Sequence, residues 1–202
     1  MKRKLILGAC LLGLALSSCQ NTNQPMEQTN EVKYSDTETI ATILGRKSVR
    51  SYTSQPVEEK KVDLLLRAGM AAPSGMDRRP WELIVVTDRA TLDTMASKLP
   101  YTRMLTQAPL AIVVCGDTTK TSYFELDCSA VTQNILLAAE ALGLGAVWSA
   151  SYPHELQMQV AREYLHLPDH IMPLSVIPVG YPDGDTPVKD KYDPARIHYN
   201  KW

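Results

Sequence analysis

Arg46, Lys47, Ser48 and Arg50 stand within five residues in the stretch RKSVRSY (46–52). Guanidinium groups offer planar forks of donors that match phosphate oxygens, and a neighbouring hydroxyl adds a further donor. The same cations also follow a short amphipathic run, where they could simply face the negative end of a helix dipole. Local chemistry leaves both readings open. A second stretch, APSGMDRRPW (72–81), carries Pro73, Ser74 and Gly75 between an apolar-periodic run and a strand-like run starting at Trp81. Such a tight crossing can expose backbone amides to a ligand, and an ordinary helix-to-strand connection looks the same. A third, GLGAVWSAS (143–151), has Gly143 and Gly145 leading into a strand. A dinucleotide fingerprint needs its glycines to follow a strand and open a helix, so this is not one.

Other chemistries are poorly served. Glu163 and His166 have the spacing of one half of a di-iron motif, but a second copy is absent from the sequence. Pro168 interrupts the helix face that His166 and His170 would share. Ser74 is not in a GxSxG elbow, and no metal site is expected. Tyr101, Arg103, Met104, Tyr123 and Phe124 are candidates for a substrate mouth, with loop surface or core as the alternative for each.

The elements that must position these residues follow from periodicity. Ile40, Ile43 and Leu44 mark a helix before the cationic stretch. Pro56, with Glu58 and Glu59, suits the first turn of a second helix, whose buried stripe is Val62, Leu65, Leu66 and Gly69. WELIVVT reads as a strand, RATLDTMASKL as a helix, and APLAIVVCG as a strand apolar on both faces and therefore central. The long run YFELDCSAVTQNILLAAEALGLG is a helix apolar on nearly every side, which suggests a subunit interface. AVWSAS reads as a strand, the next helix starts at Pro153, and IMPLSVIPVGYP is a last strand. Its internal Pro173 and Pro178 favour an edge or interrupted position. Strands alternating with helices give an α/β or α+β domain. With 202 residues, 45% hydrophobic, one core is affordable, and a formal charge of −1 argues against a general nucleic-acid binder.

The start of the chain is of another kind. MKRK, then LILGACLLGLALS, then LSSC form an export signal, too short for a spanning helix. LSSC resembles the bacterial lipobox, which implies that Cys19 carries a lipid; plain secretion with cleavage near Ser18 is the alternative. Residues 1–18 are thus read as a lipoprotein signal peptide, 19–36 as a polar tether and 37–202 as the folded domain. The expected location is outside the cytoplasm, anchored to a bacterial membrane by the lipid alone and facing the periplasm or exterior. Of four cysteines, Cys115 and Cys128 remain in the domain, as buried free thiols or, in an oxidising compartment, as one disulfide.

Taken together, the order and spacing of RKSVRSY, APSGMDRRPW, GLGAVWSAS and a basic PARIHYNKW tail resemble the FMN-dependent nitroreductase family over residues 38–202. The resemblance implies an α+β fold, with a central mixed sheet flanked by helices, in an intertwined homodimer that binds FMN between subunits. Arg46, Lys47 and Ser48, with Arg50 in the same segment, match the family's FMN phosphate and ribityl positions. Pro73, Ser74 and Gly75 match a loop beside the flavin ring contributed by the other subunit. Trp148, Ser149, Ala150 and Ser151 match a strand end near flavin N5, and Arg196 resembles a C-terminal cation that closes on the phosphate. Two departures stand out: Asp77 occupies the place of a flavin-contacting amide, and Arg79 that of a glutamine. The implied activity is ping-pong reduction of nitroaromatic, quinone or similar acceptors with NAD(P)H, and no side-chain general acid is apparent. Because NAD(P)H is a cytoplasmic reductant, the alternatives are a flavin- or small-molecule-binding lipoprotein with little turnover, or a dehalogenating or flavin-modifying member of the same fold.

Overall fold

The middle strand of the sheet is β2 (Leu110–Asp117), every residue of which is buried. The structure, a computed structural model, describes residues 37–202; the export-type segment, the tether and Cys19 lie outside the described residues. Along β2, Leu110, Ile112 and Val114 face one apolar cluster, while Ala111, Val113 and Cys115 face another. The first cluster contains residues of α2 (Glu59–Met70) and α4 (Phe124–Ala141); the second contains those of α3 (Arg89–Lys98) and α5 (Glu155–Leu165). Burial on both sides explains why β2 reads as an uninterrupted apolar run rather than an alternating one.

β1 (Trp81–Val86) flanks β2 on one side and β5 (Ile171–Gly180) on the other. β5 in turn pairs with the short strands β3 (Gly145–Ala146) and β4 (Ser149–Ala150). The expected mixed sheet is antiparallel at every pairing among the described residues. The cause is where the connections return. Val86 at the end of β1 lies opposite Ala111 near the start of β2, and Asp117 at the end of β2 lies opposite Ile171 at the start of β5. The α3 and α5 excursions leave and re-enter at the same end of the sheet. α4 instead carries the chain from the Asp117 end to Gly145 opposite Gly180, so β3 runs parallel to β2, but β5 lies between them and no parallel neighbours form.

Four boundaries or placements differ from the sequence reading. α2 begins at Glu59, not Pro56, because Glu58 is drawn away: both its carboxylate oxygens accept from Tyr181 Oη at 2.8 Å, while its carbonyl caps the Lys61 and Val62 amides. α5 begins at Glu155, with His154 as its N-cap, rather than at Pro153. AVWSAS is two short strands instead of one. β5 is not an edge strand. Its prolines are tolerated because each sits where the ladder is already broken: the register slips at Pro173–Leu174, and Pro178 lies opposite the gap between β3 and β4. The "interrupted" half of that expectation holds.

α1 (Glu38–Gly45) leaves Ile43 and Leu44 exposed. α4 buries Phe124, Cys128, Val131, Ile135 and Ala139 against the sheet and α2, yet Leu126 on its outer side is 67% exposed. A single chain therefore does not complete the all-round burial that its composition suggests. Gly143, at φ 71°, ends the run as a left-handed turn that glycine adopts without strain.

The start of α4 meets the end of β2 at Gly116, where a Cβ would lie 2.7 Å from Phe124 Cδ2 and 3.1 Å from Cys128 Sγ. Cys115 and Cys128 are both free and fully buried, and the Cys128 thiol donates to the Cys115 carbonyl at 3.4 Å. Burial pushes each thiol up to about 12. Against an unperturbed value of 9.0, that lowers the thiolate fraction about a thousandfold at neutral pH. Iodoacetamide should therefore leave both cysteines unmodified in the native protein and label both in denaturant, as read by intact and peptide mass spectrometry.

Candidate functional site

The cationic stretch owes its shape to the residue in its middle. Val49 is 2% exposed, and its amide donates to the Ala146 carbonyl of β3 at 3.1 Å. Its side chain sits on Gly145, where an added Cβ would come within 2.6 Å of Val49 Cγ1. Tyr52 fixes the other end. It is buried, bridges to Pro182, and donates its hydroxyl to the Val49 carbonyl at 2.7 Å; burial raises its pKa. Thr53 and Asp183 add backbone bonds to Tyr181 and Ser51 at 2.9 and 3.0 Å. With Val49 and Tyr52 turned inward, Ser48 and Arg50 are left facing outward.

They face a cleft of about 300 Å³. Arg46, Lys47, Ser48 and Arg50 form one wall, and the C-terminal tail forms the other through Thr186, Pro187, Lys189 and Lys191. No carboxylate lines this cleft among the described residues. Lys47 is only partly available, because its ammonium pairs with Glu140 of α4 at 2.8 Å. Such a donor set suits a multiply charged oxyanion, for which guanidinium forks give the strongest hydrogen bonds.

Arg50 also belongs to a second, larger cavity of about 500 Å³. Its wall runs from Val147 through Trp148 and Ser149 to Ala150, facing Pro100 and Tyr101 across the opening. His154 and Gln157 of α5 close one side. Tyr101 is 88% exposed and holds a left-handed backbone at φ 65°, a strained conformation for a non-glycine residue. The lining is mostly apolar with a few convergent polar groups, as expected where a planar organic ligand is held.

The structure brings Arg46, Lys47, Ser48 and Arg50 together, and places Trp148, Ser149 and Ala150 in the adjoining cavity. Ser151 is 1% exposed, and its amide is taken by the Leu174 carbonyl at 2.8 Å, so it faces inward. Arg196 is not part of either space; it pairs with Asp193 at 3.2 Å in a turn farther along the tail. Lys189 and Lys191, earlier in the same tail, line the cleft. Their spacing was the available signal, since residues two apart in an extended chain share a face. His154 and Gln157 carried no sequence signal at all. Of the proposed mouth residues only Tyr101 lines the cavity; Met104 and Phe124 are core, and Tyr123 packs on Gly75.

Pro73, Ser74, Gly75 and Asp77 line neither the cavity nor the cleft. Their loop is rigidly built. Met76, Asp77 and Arg79 all hold positive φ, near 50°. Arg79 closes on Asp77 with two hydrogen bonds of 2.7 and 2.5 Å, and its amide donates to Ser74 Oγ. The Arg79 bonds hold the Asp77 carboxyl below the usual carboxylate range, although both groups are largely exposed. The Gly75 amide donates to Asp127 Oδ1 at 3.0 Å, while Asp127 Oδ2 is buried without a hydrogen-bond partner among the described residues.

The model of the Nitroreductase family matches residues 43–100 and 92–181. A protein of Methanothermobacter thermautotrophicus, provisionally named NADH dehydrogenase/NAD(P)H nitroreductase, is 42% identical over 84% of this chain and 91% of its own length. A solved structure from Parabacteroides distasonis, under the same provisional name, shares 59% identity and a TM-score of 0.81, covering 82% of this chain and 99% of that one. An FMN-dependent nitroreductase of Clostridium difficile shares 30% identity and a TM-score of 0.77, covering 81% and 99%.

Because Val49 needs an empty Gly145 face, Gly145→Ala should destabilise the fold by about 1–3 kcal/mol. The same change should loosen the 46–52 segment specifically, visible as faster amide exchange at Val49 than at the β2 core. Uniform exchange across both would show that the contact does not hold the segment.

Proposed function

The chain belongs to the nitroreductase family, and from that premise we propose that it is an FMN-dependent NAD(P)H oxidoreductase acting on nitroaromatic, quinone or similar small acceptors. The observation that carries the reading is the junction of two spaces at Arg50: a cationic cleft suited to a phosphate opens beside an apolar cavity suited to a ring. The donor chemistry fits FMN. Arg46, Ser48, Lys189 and Lys191 would hold the phosphate, with Lys47 tempered by Glu140, and the Trp148–Ala150 wall would carry the ring. When bound, FMN supplies the hydride and single-electron chemistry that no side chain here can perform. The protein's share is to anchor the charged end, orient the ring end and limit access of water. Arg50 sits where positive charge would favour the anionic reduced form. With one ring cavity beside the cleft at Arg50, donor and acceptor would take turns, which gives ping-pong kinetics.

A homodimer completes the arrangement. In one chain the loop at Pro73–Asp77 lies outside the cavity, Asp127 Oδ2 beneath it lacks a donor, and Leu126, Ile43 and Leu44 are exposed. A second copy would cover those side chains and bring its own loop to this cavity. There the Asp77–Arg79 pair, neutral as a unit, would replace the family's amide and glutamine.

The export signal and Cys19 support a lipid-anchored enzyme outside the cytoplasm, where a donor other than NAD(P)H has to be considered. The binding-lipoprotein alternative predicts bound flavin without turnover. Cys19→Ala should shift the protein from the membrane to the soluble fraction; an unchanged fractionation would count against the anchor.

The purified protein should be yellow and should bleach on addition of NADPH or NADH under anaerobic conditions. Arg46→Ala removes a charge-assisted bond of about 1.5–3 kcal/mol, so FMN should be held roughly 10- to 150-fold more weakly with little change in melting temperature. A colourless protein that does not take up added FMN would sink the proposal.

A further inference from the structure

We infer that His154 is the side-chain acid of this site, giving a proton to an oxygen of the aromatic acceptor held in the cavity. The inference rests on the flavin reading and extends it, since nothing else so far supplies the acceptor's proton.

The cavity lining admits few alternatives. Its protic side chains are Arg50, Tyr101, Trp148, Ser149, His154 and Gln157; the Trp148 indole N–H donates a hydrogen bond without giving up its proton, and no carboxylate is among them. A guanidinium keeps its proton, a phenol gives one up only in alkali, and hydroxyl and amide groups do so less readily still. Only an imidazole exchanges its proton near neutral pH.

Geometry keeps the group both in place and at liberty. The His154 amide donates to the Ser151 carbonyl at 2.8 Å, and the Ser151 amide donates to the Leu174 carbonyl at 2.8 Å. The residue is thus tied through two backbone bonds to the slipped register of β5. It is the N-cap of α5, but its imidazole makes no capping bond and pairs with no side chain or carbonyl among the described residues. A side chain fixed at its root, free at its tip and facing a cavity is arranged to act on what the cavity holds. The residue is exposed, so water can restore its proton after each turnover. The charged and titratable groups beside it are Arg50 and Tyr101 in the cavity lining and Glu155, next on the helix.

The chemistry balances. Reducing a quinone to its hydroquinone takes two electrons and two protons. A hydride equivalent from reduced FMN delivers both electrons and one proton. The second proton comes from the imidazolium: an O–H bond forms at the acceptor as the N–H bond breaks, and neutral His154 then takes a proton from water.

Two variants and one binding experiment decide it. His154→Asn retains a good N-cap residue, and His154→Gln retains a polar side chain of similar reach. In stopped-flow measurements on the FMN-loaded protein, reduction by NADPH, which delivers no proton to an acceptor oxygen, serves as the reference half-reaction and should change much less than reoxidation. Reoxidation by menadione should slow about 100-fold in each, and the pH profile of that step should differ between the parent and both variants. Independently of turnover, 4-hydroxybenzoate added to the oxidised protein should shift the His154 imidazole resonances, assigned by their absence in His154→Asn. Flavin reduced normally but reoxidised by the variants at the parental rate and pH profile would overturn the inference, as would an imidazole unmoved by the ligand. If NADPH fails to reduce the parent protein, the oxidoreductase reading falls, and the imidazole experiment still decides whether His154 meets an aromatic oxygen.

Discussion

The seating of Val49 on Gly145 governs the geometry of the cationic wall of the cleft. A peptide segment carrying three cations would repel itself and stray into water if nothing apolar held it. One valine, pressed where no Cβ can stand, supplies that hold, and the Tyr52 hydroxyl returning to the Val49 carbonyl closes the segment into a brace. Because the docked partner is β3, and β3 runs on through Val147 and Trp148 into β4, the cationic segment and the Trp148 wall are referenced to the same strand, β5. Their relative position is therefore set by sheet hydrogen bonds rather than by loops.

That dependence explains which parts of the molecule could be read from the sequence. Apolar periodicity located the five α-helices of the described residues and the principal strands, because β2 and α4 are defined by burial and burial dictates side-chain type. It failed where a tertiary partner decided the outcome. Pro56 is a good first-turn residue, but Tyr181, far along the chain, claims Glu58 and delays the helix. Prolines 173 and 178 argue against a central strand only if the ladder is continuous, and the register slip and the β3–β4 gap remove that condition.

The site divides in the same way. Arg46, Ser48 and Arg50 were visible because charge clustering is a sequence property. Lys47 was visible too, but not its capture by Glu140, ninety-three positions away. Arg196 looked equivalent to Lys189 and Lys191 on charge alone; only the path of the tail separates them. The fold of the loop at Asp77 was hidden for a different reason. Its left-handed residues include methionine and arginine, which give no warning of positive φ, and the closing Asp77–Arg79 pair spans a single residue.

Arg50 borders both the cleft and the cavity, and this makes the two spaces behave as a chelating pair. A ligand with an anionic end and a ring end, joined by a chain of the right length, binds its second end as an intramolecular event at high effective concentration. Fragments carrying only one end forfeit that advantage, however well each fits. Free phosphate or a free aromatic acceptor should therefore come and go quickly, while a molecule that reaches across Arg50 stays. The same arrangement separates a resident cofactor from a transient substrate by length rather than by tighter contacts at either end.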